Sequence, residues 1–153
     1  MSDHGPAAMG LHHPLLVDDF ASHWLGLEVL RAVPGEALLR MQLREEMLNG
    51  FGIAHGGMIF ALADTAFALA CNDAHRVGID MTVASGADIN FLRPAHRGQS
   101  LTAHAQVVRK GRSGLIDITV SAQGPDDPEP YVCAEIRGRS RTIPYPQAPA
   151  PGP

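Results

Sequence analysis

The chain is poor in cysteine. Cys71 and Cys133, the only two in 153 residues, are too few for a disulfide framework and read as packing residues in a reducing compartment. Basic side chains are sparse too: 12 Lys and Arg against 16 Asp and Glu give a net charge of -4 and a pI near 6.0. That thin spread argues against a nucleic-acid surface, which needs a concentrated basic patch. The apolar stretch at residues 58–72 is shorter than the roughly 20 residues that span a bilayer, so no membrane partner is expected. No basic, then apolar, leader opens the chain, and the expected location is cytoplasmic. No two of its histidines are three or four apart and no cysteine pair adjoins one, so metal-ligand spacing is missing and neither a metal nor another cofactor is expected. Ala84-Ser85-Gly86 lacks the glycine spacing of a nucleophile elbow, which disfavours Ser-His-Asp catalysis.

What is present centres on Asn49-Gly50-Phe51-Gly52-Ile53-Ala54-His55-Gly56-Gly57, running into a helix-forming, almost wholly apolar segment with one carboxylate, Asp64. An ionised carboxylate in apolar surroundings costs several kcal/mol, roughly, unless something compensates it. Phe60, Ala61, Phe67 and Ala68 share its helical face, and no face of the helix is clearly polar. The segment reads as a core helix whose charge has a use. Gly56 and Gly57 let backbone come close to a ligand, and a helix start presents unpaired N–H groups with about half a positive charge. Such a start suits an oxyanion. Eight residues at about 1.5 Å each put Asp64 about 12 Å along the helix from Gly56, so one carbonyl cannot meet both groups of one chain. The pair must come from two subunits.

Leu48-Asn49-Gly50, His55-Gly56-Gly57, Phe60, Leu62-Ala63-Asp64-Thr65-Ala66-Phe67-Ala68 and Ala70-Cys71-Asn72 resemble the signature of the PaaI-type acyl-CoA thioesterases of the hotdog superfamily. The resemblance continues through Asp88-Ile89-Asn90-Phe91-Leu92-Arg93-Pro94, Gly98, Leu101-Thr102-Ala103 and Asp117-Ile118, and covers about residues 20–142. It implies that Asp64 is the nucleophile or general base and that the Gly56 N–H of a neighbouring subunit polarises the thioester carbonyl. It further implies that Asn49 and His55 lie by the thioester, that Thr65 positions substrate or water, and that the acyl group is phenylacetyl or a ring-hydroxylated form. Apart from the resemblance, Asn49 could serve only a turn, His55 only a loop, and Thr65 could bond its own helix.

The remaining pattern predicts an α+β fold. Leu15, Leu16, Phe20 and Trp24 recur at helical spacing over residues 14–24, with Gly26 as the stop. Residues 27–33 and 37–43 flank Pro34-Gly35-Glu36 as a hairpin, the second run placing Ala37, Leu39, Met41 and Leu43 on one side. Strands are expected at 81–91, 100–109, 115–121 and 131–142, pairing antiparallel where turns are short. An antiparallel sheet needs cover for its apolar face, and the apolar helix supplies it. This agrees with the hotdog arrangement, a sheet wrapped around a long central helix. Its open edge invites a homodimer as the minimum assembly, and the resemblance implies a tetramer. One domain over residues 14–143 is expected, between a flexible arm at 1–13 and a disordered Pro-rich tail at 144–153.

Coenzyme A carries phosphates, so Arg93, Arg97, Arg109, Lys110 and Arg112 are candidates to hold it. Lys110-Gly111-Arg112-Ser113-Gly114 is preferred, because glycines such as Gly111 expose backbone N–H groups to phosphate. Phe51, Ile53, Met58 and Phe67 are expected to line the acyl site, compatible with an aromatic group or a medium fatty chain. Two other readings stand beside hydrolysis: a non-catalytic acyl-CoA-binding or sensing module, and a hotdog dehydratase with His55 as base.

Overall fold

The computed structural model describes residues 12–146. Helix α1 (Phe20–Leu25) precedes a hairpin of β1 (Glu28–Val33) and β2 (Glu36–Gln42); the long helix α2 (Gly56–Cys71) follows, then β3 (Asp80–Phe91), β4 (Ser100–Arg109), β5 (Ser113–Gln123) and β6 (Tyr131–Pro144). The strands form one six-stranded sheet in the order β1-β2-β4-β5-β6-β3, every neighbouring pair antiparallel. Strands from all parts of the sheet contact α2, so the sheet curves around it in the expected hotdog arrangement.

Alternation decides which side faces the helix. Ala37, Leu39 and Met41 of β2, Leu101, Ala103 and Ala105 of β4, and Ile116, Ile118, Val120 and Ala122 of β5 are all buried, against Leu62, Ala63, Ala66, Leu69 and Ala70 of α2. Alanines on both sides let helix and sheet approach closely. Phe67 makes the tightest fit: a Cβ on Gly138 of β6 would stand 2.6 Å from its Cε2, so only glycine fits beneath the ring. The ring belongs to the core, 4% exposed, and offers almost no surface to the acyl site it was expected to line.

Several expectations need correction. The leading helix is two pieces, a 3-10 turn (Pro14–Leu16) and α1, because the Asp19 side chain accepts from the Ser22 N–H and restarts the helix; Gly26, at φ 70°, stops it as expected. Strand β5 begins two residues before Leu115, since Gly111 at φ 139° closes a tight hairpin. Strand β3 does not pair with β4 across the turn that joins them; it pairs with β6 at the far edge. The joining loop is tied elsewhere, Ala95 O accepting from Ala54 N–H at 2.8 Å and Leu43 O from Gly98 N–H at 3.2 Å, which carries the chain across the start of α2. At the ends, His13 is buried with its Nε2 2.9 Å from Asn72 O, not part of a loose arm, and Pro144 closes β6 opposite Asp80. The rest of the expected arm and tail lies outside the described residues.

Candidate active site

The start of α2 is built by three local devices. Asn49 Oδ1 accepts from Phe51 N–H at 2.9 Å and Ile53 N–H at 3.4 Å, which folds the turn before the helix. His55 is the N-cap, its Nδ1 accepting from Gly57 N–H at 3.0 Å while its carbonyl accepts from Met58 and Ile59. An amide can only donate, so Nδ1 is the bare nitrogen and the neutral ring carries its proton on Nε2. The third device is space. A Cβ on Gly57 would lie 3.1 Å from His55 Nδ1, and one on Gly56 only 2.8 Å from Phe91 Cζ, so both glycines make room for neighbouring rings.

One donor remains. Gly57 N–H is taken by His55, whereas Gly56 N–H makes no hydrogen bond among the described residues. The first amide of α2 is thus free at the positive end of the helix, beside the ring of Phe91. The ring's contact with Gly56 was not anticipated; its only signal was the Asn90-Phe91-Leu92-Arg93-Pro94 run.

Asp64 stands two turns further along, exposed in the isolated protomer, on a stripe with exposed Phe60 and half-buried Ala61 and Ala68. Burial by its apolar neighbours raises its carboxyl above the ordinary aspartate range, and the negative charge of Asp19 adds to the rise. Next to it, Thr65 Oγ1 lies 2.9 Å from Ser22 Oγ of α1, which in turn donates to Asp19 Oδ2 at 2.6 Å. Neither Asp19 nor Ser22 was singled out from the sequence. Asp18-Asp19 before a short apolar helix was the available hint of a cap, but a contact between residues 22 and 65 has no local signature.

The basic candidates divide into two groups. Arg93 lies over the Tyr131 ring, 4.0 Å from its centre, and Arg97 makes an exposed 3.6 Å pair with Glu45; both sit on the loop by the start of α2. Arg109 ends β4 and Arg112 lies just past it, about 30 Å away for a ten-residue strand. One protomer therefore cannot bring all of them to one phosphate. Arg109 and Arg112 line a cleft of about 330 Å³ with Arg139 and Arg141, while Lys110 and Gly111 line its neighbour beside Gly35 and Cys71 at the end of α2. Arg139 and Arg141 were missed, because alternate positions on a strand read as solvent-facing charge.

An antiparallel sheet wrapped around one long helix is the hotdog fold, and here the helix start carries an open amide and the helix's exposed stripe a carboxylate. Comparison with known proteins agrees. The family model described as the thioesterase superfamily matches residues 51–127. Acyl-coenzyme A thioesterase PaaI of Escherichia coli (strain K12) is 38% identical over 132 residues, 86% of this chain and 88% of that protein. The solved structure of the E. coli PaaI protein, from the phenylacetic acid degradation operon, superposes with a TM-score of 0.76 over 84% of this chain and 88% of that one. A mutant form of the phenylacetic acid degradation protein PaaI from Thermus thermophilus is 33% identical, with a TM-score of 0.68 over 80% of this chain and 97% of that one. The chain belongs to the thioesterase superfamily and, within it, to the PaaI-type acyl-CoA thioesterases.

Proposed function

We propose that the protein hydrolyses aryl-acetyl thioesters of coenzyme A, phenylacetyl-CoA or its ring-hydroxylated forms, to the free acid and CoA. The observation that carries this reading is the uncommitted Gly56 N–H at the head of a helix that also bears Asp64 on its exposed stripe. The thioester carbonyl binds at Gly56 N–H, where one such donor contributes on the order of 10² to 10³ in rate. Asp64 of a second subunit attacks the carbonyl carbon or takes a proton from water as water attacks; either way the C–S bond breaks and CoA leaves as the thiol. The about 12 Å between the two groups on one helix requires that second subunit. The apolar stripe around Asp64 and the unpaired edge of β3 supply surfaces for a dimer, and the tetramer is proposed on the relatives' likeness alone. His55, with its Nε2 proton directed away from the cap, serves as a donor near the thioester; Asn49 acts by shaping the loop.

The acyl group lies between Ile53, Met58 and exposed Phe51 at this end of the helix. The cleft of Arg109, Arg112, Arg139 and Arg141, with Lys110 and Gly111 beside it, is proposed for the CoA phosphates. No described helix is long and apolar enough to cross a membrane; Cys71 and Cys133 are free thiols, and we place the protein in the cytoplasm.

The test follows free thiol from phenylacetyl-CoA, hydroxyphenylacetyl-CoA and a straight-chain acyl-CoA, with wild-type protein and Asp64→Ala. Preference for the aryl substrates and a loss of about 10² to 10⁴-fold in the variant are expected. Tight binding without release would make the protein a CoA-ester sensor; faster release from the straight chain would make it a medium-chain enzyme.

A further inference from the structure

The hydroxyl chain linking α1 to α2 has a direction. Ser22 is 3% exposed, and its Oγ lies 2.6 Å from Asp19 Oδ2 and 2.9 Å from Thr65 Oγ1. A carboxylate can only accept, and serine has one hydroxyl proton, so that proton goes to Asp19. Thr65 must then donate to Ser22. Asp19 is itself held by the Ser22 N–H at 3.0 Å, so the acceptor at the end of the chain cannot swing away without uncapping α1.

We infer that Asp19 and Ser22 are positioning residues for hydrolysis, fixing the Thr65 hydroxyl with its proton spent on Ser22, so that Thr65 meets the attacking water as an acceptor only. The inference rests on the thioesterase reading above, in its water-attack form. Water that attacks a carbonyl carbon must point a lone pair at it, which two hydrogen-bond acceptors on its protons achieve. Asp64 is one and Thr65, the next residue of α2, is the other. The proton facing Asp64 passes to the carboxylate as the new C–O bond forms; when the tetrahedral adduct collapses, the C–S bond breaks and the departing thiolate takes that proton up. The proton facing Thr65 stays on the oxygen that becomes part of the acid. A Thr65 free to rotate could donate to the water instead, tying up the lone pair that must attack.

The experiment is a double-mutant cycle on Ser22→Ala and Thr65→Val, with Thr65→Ser as the conservative variant. Thiol release from phenylacetyl-CoA is measured beside three-bond NMR couplings that report the Thr65 rotamer. Each single variant is expected to lower kcat about tenfold with KM nearly unchanged, and the double variant to fall no further than Thr65→Val alone. Thr65→Ser is expected to keep most of the rate, and Ser22→Ala to turn a single Thr65 rotamer into an average of several. Additive losses with wild-type turnover intact overturn the proposal alone, as does a Ser22→Ala protein that keeps full kcat or a fixed Thr65 rotamer. A wild-type protein that releases no thiol overturns the thioesterase reading and this proposal with it.

Discussion

The two ends of α2 are finished to different standards. At the C-terminal end Asn72 leaves little open: its Nδ2 donates to Ala68 O at 2.8 Å and Thr82 O at 2.9 Å, its Oδ1 accepts from Thr82 N–H at 2.9 Å, and its own N–H returns to Ala68 O. His13 reaches the Asn72 carbonyl as well. At the N-terminal end the cap takes Gly57 N–H and the Gly56 N–H is left without a partner among the described residues. The contrast teaches that this fold can satisfy its helix ends where stability is the only demand. The end left open, beside a glycine and an aromatic ring, is the one where the proposed carbonyl site lies.

Removing the charge on the helix should separate function from stability most widely. Asp64→Asn is expected to lose about 10² to 10⁴-fold in kcat/KM, measured by thiol release. Because the fold raises the carboxyl's pKa, it favours the neutral form: the stabilising contribution is present below the unfolded aspartate value and lost as pH rises through the folded one. Asp64→Asn should therefore melt no lower than wild type at pH 7, and any gain in Tm should vanish in the carboxylate range; a fall in Tm would refute the assignment.

Crowding the open end comes next. Gly56→Ala puts a methyl 2.8 Å from Phe91 Cζ, forces the ring aside and should cost about 10 to 100-fold in rate by displacing the carbonyl's seat. Gly56→Ala with Phe91→Leu should recover part of it; if it recovers none, the ring is not what the glycine accommodates.

Breaking the closed end should give the reverse signature. Asn72→Ala strands half-buried backbone groups and should cost about 1 to 3 kcal/mol by urea unfolding, with kcat nearly unchanged. A large loss of rate with no loss of stability would erase the contrast between the ends.

The smallest effect is a shift along the pH axis. The proposed mechanism requires Asp64 ionised, so the acid limb of kcat/KM should lie above the ordinary aspartate range. Asp19→Asn, removing a neighbouring negative charge, should move it to lower pH, separately from any loss of kcat through Ser22 and Thr65. A limb that stays in place would separate Asp19 from Asp64.

Much of this molecule follows from patterns a few residues long. Alternation along 37–43 correctly chose the buried side of β2, His55-Gly56-Gly57 marked the head of α2, and Gly26 marked the stop of α1. Where the pattern misled, the deciding contact was distant. Phe67 shares a helical face with Asp64 in principle, yet Gly138, seventy-one residues on, offers a slot that only a missing Cβ creates. Arg93 and Arg109 look equivalent as charges, but β4 holds their loops at opposite ends of the sheet.

By itself the sequence determined the helix and strands, the carboxylate on an apolar helix, and the glycines at its head, because side-chain period and backbone freedom act between neighbours in the chain. Only the tertiary structure decided the rest. It sent β3 to pair with β6, laid Phe91 over Gly56, and brought Ser22 to Thr65, since each depends on which distant surfaces fit once the sheet has curved around the helix.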